Sequence, residues 1–315
     1  MPALFWTTHF VKHLLHNSAN MTANQTHTPF YLALLTMMLS TGFASALKKG
    51  EVLDMTYTYD NETTLRWPGT PPFEQTILVR NPTPTMPWLE MNKISTPEHF
   101  GTHLDAPAHA AKGKWRTDDI PVQNFVGPAV RVDVSAKAAE DSDYRVTVAD
   151  LTGWESDNGP IPDGALLFVY TGFGAFWSDR LRYFGYAGGE NAVDANGTSL
   201  LHFPGISVEA ATWIVKNTKV NGVGIDSASL DYGLSPGFES HQILLEENIF
   251  GLENVANLDK LPTTGATAYA LPMKIGDGSG GPVRIIAMLN GFRPLKSGCA
   301  TFILIGISFI VMAIM

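Results

Sequence analysis

Three histidines and one carboxylate fall within eleven residues, in the run His99-Phe100-Gly101-Thr102-His103-Leu104-Asp105-Ala106-Pro107-Ala108-His109. Neutral imidazole and carboxylate are the side chains that hold Zn(II), Mn(II) or Fe(II) at hydrolytic sites. Burying four such groups without an ion or partners is costly, so the spacing predicts a metal site. It suits an extended segment better than a helix. Side chains two apart on a strand share a face, and positions 99, 103, 105 and 109 have one parity. Gly101 and Pro107 would break a helix and could kink a strand.

The same run resembles the signature of the cyclase-type metal-dependent amidohydrolases, a family that includes kynurenine formamidases and isatin hydrolases. Their pattern is H-x-G-T-H-x-D-x-P-x-H, and every fixed position is met here. Supporting stretches are Leu166-Leu167-Phe168-Val169-Tyr170-Thr171-Gly172, Phe203-Pro204-Gly205-Ile206-Ser207, Gly224-Ile225-Asp226-Ser227 and Pro282-Val283-Arg284-Ile285-Ile286-Ala287. The likeness runs from about Leu53 to Ala287. It implies a single-domain swivelling β/β/α fold, homo-oligomeric assembly, and a small aromatic amide substrate of the N-formylkynurenine or isatin kind. It also implies a second half-site. His241 and Glu253, twelve residues apart, match the family's second block, and Asp105 matches the position that bridges two ions. Some members use one ion, so one or two ions per chain, Zn or Mn, stay open.

The expected reaction is hydrolysis of a C–N amide bond. His99, His103 and Asp105 would hold the ion, with His241 and Glu253 available for a second. His109 is the expected proton shuttle, since an imidazole titrates at about 6.5 and can accept and return a proton near neutrality. No G-x-S-x-G elbow competes for the chemistry. A metal-dependent cyclase or lyase is the alternative within enzymes. A binding protein that kept the fold without chemistry would normally have lost part of the cluster.

The elements that must position these groups are mixed. Val52 to Tyr59 alternates and predicts a strand; residues 60 to 90, rich in Pro, Thr and Gly, predict a long excursion that could wall a substrate. Ala129–Val134 and Ala165–Tyr170 are apolar runs that predict strands. Ser207 predicts an N-cap for a helix through about Asn217, and Gly222–Ile225 a buried strand. Glu239–Asn248 predicts an amphipathic helix. The class is α+β, with α/β-like mixing. Asp226 and Asp231 follow a predicted strand, where site residues and turn-building Asx side chains are equally expected. Phe173, Phe176, Trp177, Trp67 and Trp88 could stack on a substrate, although aromatic residues more often fill cores.

The chain has 315 residues, 45% hydrophobic and 16% charged, with a net charge of −9. That composition supports a large core and, lacking a basic patch, makes nucleic acid an improbable partner. The lone cysteine, Cys299, lies beside the tail, so the catalytic region has no disulfide and no thiolate. Residues 1–46 are expected to be a lead and signal peptide, from the apolar run Phe30–Phe43 and the Ala44-Ser45-Ala46 cleavage pattern; Met21 would give a conventional length. Residues 47–290 are expected to form the hydrolase domain. Residues 291–315 are expected to anchor the chain to a membrane at the cell surface. The last 16, from Ala300, are apolar and followed by no charge, which favours a GPI signal over a short span. Two glycosylation sequons, at Asn61 and Asn196, support a secretory route weakly.

Overall fold

A computed structural model of the chain describes residues 50–289. The expected signal peptide, Cys299 and the apolar tail lie outside the described residues. Among the described residues no helix is long and apolar enough to cross a membrane.

Twelve strands run in chain order: β1 Val52–Asp54, β2 Glu74–Asn81, β3 Leu89–Ser95, β4 His103–Asp105, β5 Val126–Asp133, β6 Arg145–Val146, β7 Leu166–Tyr170, β8 Gly205–Ile206, β9 Gly222–Ile225, β10 Phe250–Glu253, β11 Ala266–Pro272 and β12 Gly280–Leu289. Among the described residues five α-helices lie between them: α1 Ser135–Glu140, α2 Val148–Asn158, α3 Arg180–Phe184, α4 Val208–Asn217 and α5 Glu239–Glu246. The main sheet has eight strands in the order β1-β12-β11-β5-β7-β9-β10-β4, and β4 pairs again with β12, which closes it into a barrel. One edge of β12 is shared: Gly280–Pro282 pair with β4, and Ile286–Met288 pair with β1. The run β5-β7-β9-β10 is parallel, and the other pairings of this sheet are antiparallel.

The apolar run of β7 shows why the layers form. Leu166 and Phe168 point into the barrel among Leu104, Leu252, Ala268 and Ile285. Leu167 and Val169 point out against a second core with Leu151 and Trp154 of α2, Ile214 of α4 and Leu244 of α5. A parallel strand covered on both faces reads as continuous rather than alternating hydrophobicity, and so it does here. Ser207 caps α4, its side chain accepting from Ala210 N, as its position predicts.

Two expectations differ. Strand β1 ends at Asp54: Met55 N–H still reaches the Ile285 carbonyl, but the Met55 carbonyl accepts from Ala256 N, Ile285 N–H goes to the Thr56 hydroxyl, and Tyr57 donates its N–H to the Thr102 hydroxyl. The excursion at 60–90 opens an antiparallel ribbon, β2–β3, which runs on to Ser95 and pairs only with itself. Its side chains stay mostly exposed on both faces, so no buried face imposes the alternation that marks a strand.

Candidate metal centre

Strand β4 carries His103 and Asp105 on one face, and both are almost wholly buried. Pairing does the rest. In the β10–β4 register Glu253 sits opposite His103 and Gly251 opposite Asp105, so the second acidic group lands beside the first motif. His241 arrives from the first turn of α5. His99 lies outside the strand and enters through Gly101, whose φ of +56° is a conformation glycine adopts freely. Gly280 of β12 makes room for it: a Cβ there would stand 2.6 Å from His99 Cε1 and 2.5 Å from the Leu104 carbonyl. The parity expectation therefore holds for His103 and Asp105, while His99 uses a turn and His109 ends the short 3-10 segment Pro107–His109.

Each of three imidazoles has its outward nitrogen tied down. His103 Nδ1 donates to the Gly101 carbonyl at 2.9 Å. His241 Nδ1 donates to Asp231 Oδ2 at 2.7 Å. Ser279 donates its hydroxyl to Glu98 at 2.6 Å, so it accepts from His99 Nε2 at 3.0 Å. These partners leave His103 Nε2, His241 Nε2 and His99 Nδ1 facing inward. His99 Nδ1 lies 2.6 Å from Asp105 Oδ1, and His103 Nε2 lies 3.2 Å from the same oxygen. His241 Nε2 is 2.9 Å from Glu253 Oε1 and 3.4 Å from Asp105 Oδ2.

The donor atoms form two groups, His99-His103-Asp105 and Asp105-His241-Glu253, each within 4.8 Å. Asp105 Oδ2 is buried yet makes no hydrogen bond. An orphaned carboxylate oxygen among inward-facing imidazole nitrogens is what an ion would satisfy, so the donor set fits a divalent metal. His109 belongs to neither group. Its ring lies against His99, tilted by 31° with centroids 3.9 Å apart, and opens to the cavity.

The charges fit the same account. Burial pulls the His103 imidazole down, but Asp105 and then Glu253 outweigh it and hold it up at about 9. Burial likewise opposes the charge on His241, yet the carboxylates of Asp105, Asp231 and Glu253 hold it well above its ordinary value. Burial raises Asp105, and the three histidines overcome this and keep it ionised. Without an ion these protons stabilise the fold; for His103 that contribution is complete below about 6.5 and is lost as pH rises through about 9. An ion must displace them. Metal loading at pH 7 is expected to release protons, and affinity to climb between pH 6.5 and 9. Calorimetric titration in buffers of different ionisation heat measures this, and a heat independent of buffer would refute it.

The paired aspartates separate. Asp226 accepts from Thr171 N and Oγ1 and from Gly172 N, which builds the turn after β7; burial, acting against those bonds, pushes it up to about 6. Asp231 supports the site through His241. It also accepts from Ser240 N and His241 N, capping α5, whose first residue is preceded by Phe238 without a capping side chain. Of the aromatic candidates only Trp67 lines the cavity of about 600 Å³ above the cluster. Phe173 is core, Trp177 stacks on Tyr57 at 4.0 Å, and Trp88 is exposed on the ribbon. Glu98, Ser279, Gly280 and Phe238 carried no signal in the sequence.

The profile of the cyclase family matches residues 53–232. An isatin hydrolase of Roseibium aggregatum is 34% identical over 64% of this chain and 76% of its own length. A kynurenine formamidase of Salinibacter ruber is 28% identical over 70% of this chain and 89% of its own. Among solved structures, isatin hydrolase A of Ralstonia solanacearum superposes with a TM-score of 0.66 at 32% identity, covering 84% of this chain and 99% of that one. An isatin hydrolase bound to the product analogue thioisatinate gives 0.67 at 30% identity, covering 82% and 98%. The chain belongs to the cyclase family. It is a metal-dependent hydrolase of that family.

Proposed function

We propose that the protein opens the C–N amide bond of an aryl amide, with an isatin-like cyclic amide as first choice and an N-formyl aryl amide such as N-formylkynurenine as second. The observation that carries this reading is the pair of donor groups sharing Asp105 at the floor of a cavity with an aromatic wall. The 34% identity to an isatin hydrolase supports the cyclic amide. The ligands we assign are His99, His103, Asp105, His241 and Glu253. Asp105 turns Oδ1 toward His99 and His103 and Oδ2 toward His241, so it would contribute to holding an ion in either donor group. Imidazole and carboxylate donors accept Zn or Mn.

Bound there, a divalent ion supplies an acidified water and a polarised carbonyl. The chain's own groups do the remainder. Burial of part of the His109 ring outweighs the opposing charge of Asp105 and lowers that imidazole below its ordinary value. His109 is therefore neutral at pH 7, takes the proton of the attacking water and returns it to the leaving nitrogen. The buried imidazoles keep their orientation through Gly101, Asp231 and Ser279.

The full chain, loaded with Zn or Mn, is expected to hydrolyse isatin and to place one oxygen of oxygen-18 water in the carboxylate product. Slower turnover is expected with N-formylkynurenine. Ring closure or dehydration without label would replace this reading by the cyclase or lyase alternative, and no turnover of any aryl amide would remove it.

A further inference from the structure

Among the described non-glycine residues at positive φ, Phe238 is the one that is neither Asn nor Asp. Its backbone lies at φ 53° and ψ 46°, the left-handed region, which a bulky side chain rarely occupies. Burial does not explain the strain, since 44% of the residue is exposed. The turn around it is held from several sides. Phe238 donates its N–H to Ser235 Oγ at 3.1 Å, and its carbonyl accepts from Gln242 N at 3.1 Å. The Gln242 amide donates to the Gly237 carbonyl at 2.7 Å, and Ser235 Oγ donates to Glu239 Oε2 at 2.8 Å. This structure holds the ring against the cavity that opens on the metal cluster. There its centroid lies 6.0 Å from Trp67 and 5.9 Å from His241. Trp67 is fixed behind by Phe203 at 6.1 Å and by a turn in which Thr70 N and Oγ1 donate to its carbonyl. Backbone strain persists where the surroundings over-determine it, and such places cluster at ligand clamps.

We infer that Phe238 is a specificity-determining residue: with Trp67 it forms an aromatic corner that receives the flat aryl ring of the substrate while His241, on the same helix turn, serves the ion. Aromatic rings at centroid distances of 4.5–7 Å are favoured over mere apolar contact. The corner thus selects a planar ring fused or joined to the scissile amide over an aliphatic amide of the same reacting group. The inference rests on the aryl-amide reading above for its choice of substrate, and the experiment separates the two.

The test compares wild type, Phe238→Gly, Phe238→Leu and Phe238→Tyr. Glycine removes the ring and also relieves the left-handed strain, so the two effects have opposite signs. Two substrates are used: isatin, and pyrrolidine-2,3-dione, the same dicarbonyl lactam without the benzo ring. Isatin binding to metal-free protein is read separately by tryptophan fluorescence. Phe238→Gly is expected to keep its metal content and to hold or raise its Tm. Its KM and Kd for isatin should rise about tenfold, with kcat little changed and the preference for isatin reduced by a similar factor. Leucine, which keeps the strain but not the ring, should lose the same preference without the gain in Tm. Tyrosine should restore it. If Phe238→Gly keeps wild-type preference and Kd, or if its Tm drops by several degrees, the ring is structural and the inference is overturned. If wild type binds isatin, Phe238→Gly does not, and neither hydrolyses it, the aromatic corner stands and the proposed reaction falls. If wild type does not bind isatin at all, both are lost.

Discussion

Asp105→Asn is expected to fold, to retain no tightly bound metal and to show no measurable hydrolysis. Asp105 is 1% exposed and is the one residue common to both donor groups. Its Oδ1 serves the side of His99 and His103, and its Oδ2 serves His241. Asparagine keeps the shape but removes the negative charge, and its amide presents hydrogens where a lone pair is needed. The loss should exceed the 10–100-fold, roughly, that follows when an outer hydrogen-bond partner of a metal ligand is removed. Glu253→Gln removes a donor of the second group alone, although Glu253 Oε2 also lies 3.4 Å from His103 Nε2. Where wild type holds two ions per chain, that variant should hold about one. Elemental analysis after gel filtration, with circular dichroism to confirm folding, measures both. Wild-type metal content in Asp105→Asn would defeat the ligand assignment. Equal and complete loss in the two variants would mean that a single ion uses both groups.

The candidate ligands were legible because their chemistry is local and their fold is not required to recognise it. Four metal-type residues between positions 99 and 109 announce a site by composition alone. Their geometry was only partly legible: strand alternation accounts for His103 and Asp105, whereas His99 depends on a left-handed turn at Gly101 and on the space left by Gly280. His241 and Glu253 have no periodic relation that would join them to the first motif. What joins them is the β10–β4 register, a pairing across about 150 residues of chain that no local pattern encodes. Asp226 and Asp231 show the same limit. Five positions apart in one loop, they have the same local character, yet one closes a turn and the other orients a ligand, because different segments pack against them. The buried strands were plain from their apolar runs, since both faces are covered. The β2–β3 ribbon was not, because neither of its faces is buried.

His109→Gln is expected to keep its metal and to lose about 100-fold or more in kcat, the scale of a positioned acid or base. Glutamine is chosen because His109 packs against His99 at 3.9 Å, and a small residue would free that candidate ligand to move. The argument for a shuttle rests on what distinguishes this ring from the other three. Their outward nitrogens are fixed by Gly101, Asp231 and Ser279, and their inward nitrogens meet carboxylates. His109 lies outside both donor groups and opens to the cavity where a substrate would rest. The pH profile gives an independent readout. A base must be deprotonated to act, and desolvation lowers this imidazole, so the acidic limb of kcat should fall below the ordinary value of about 6.5. In His109→Gln that limb should vanish while the metal-dependent limb remains. Loss of metal in step with activity would make His109 a ligand instead. An unchanged acidic limb would assign the proton transfer to another group.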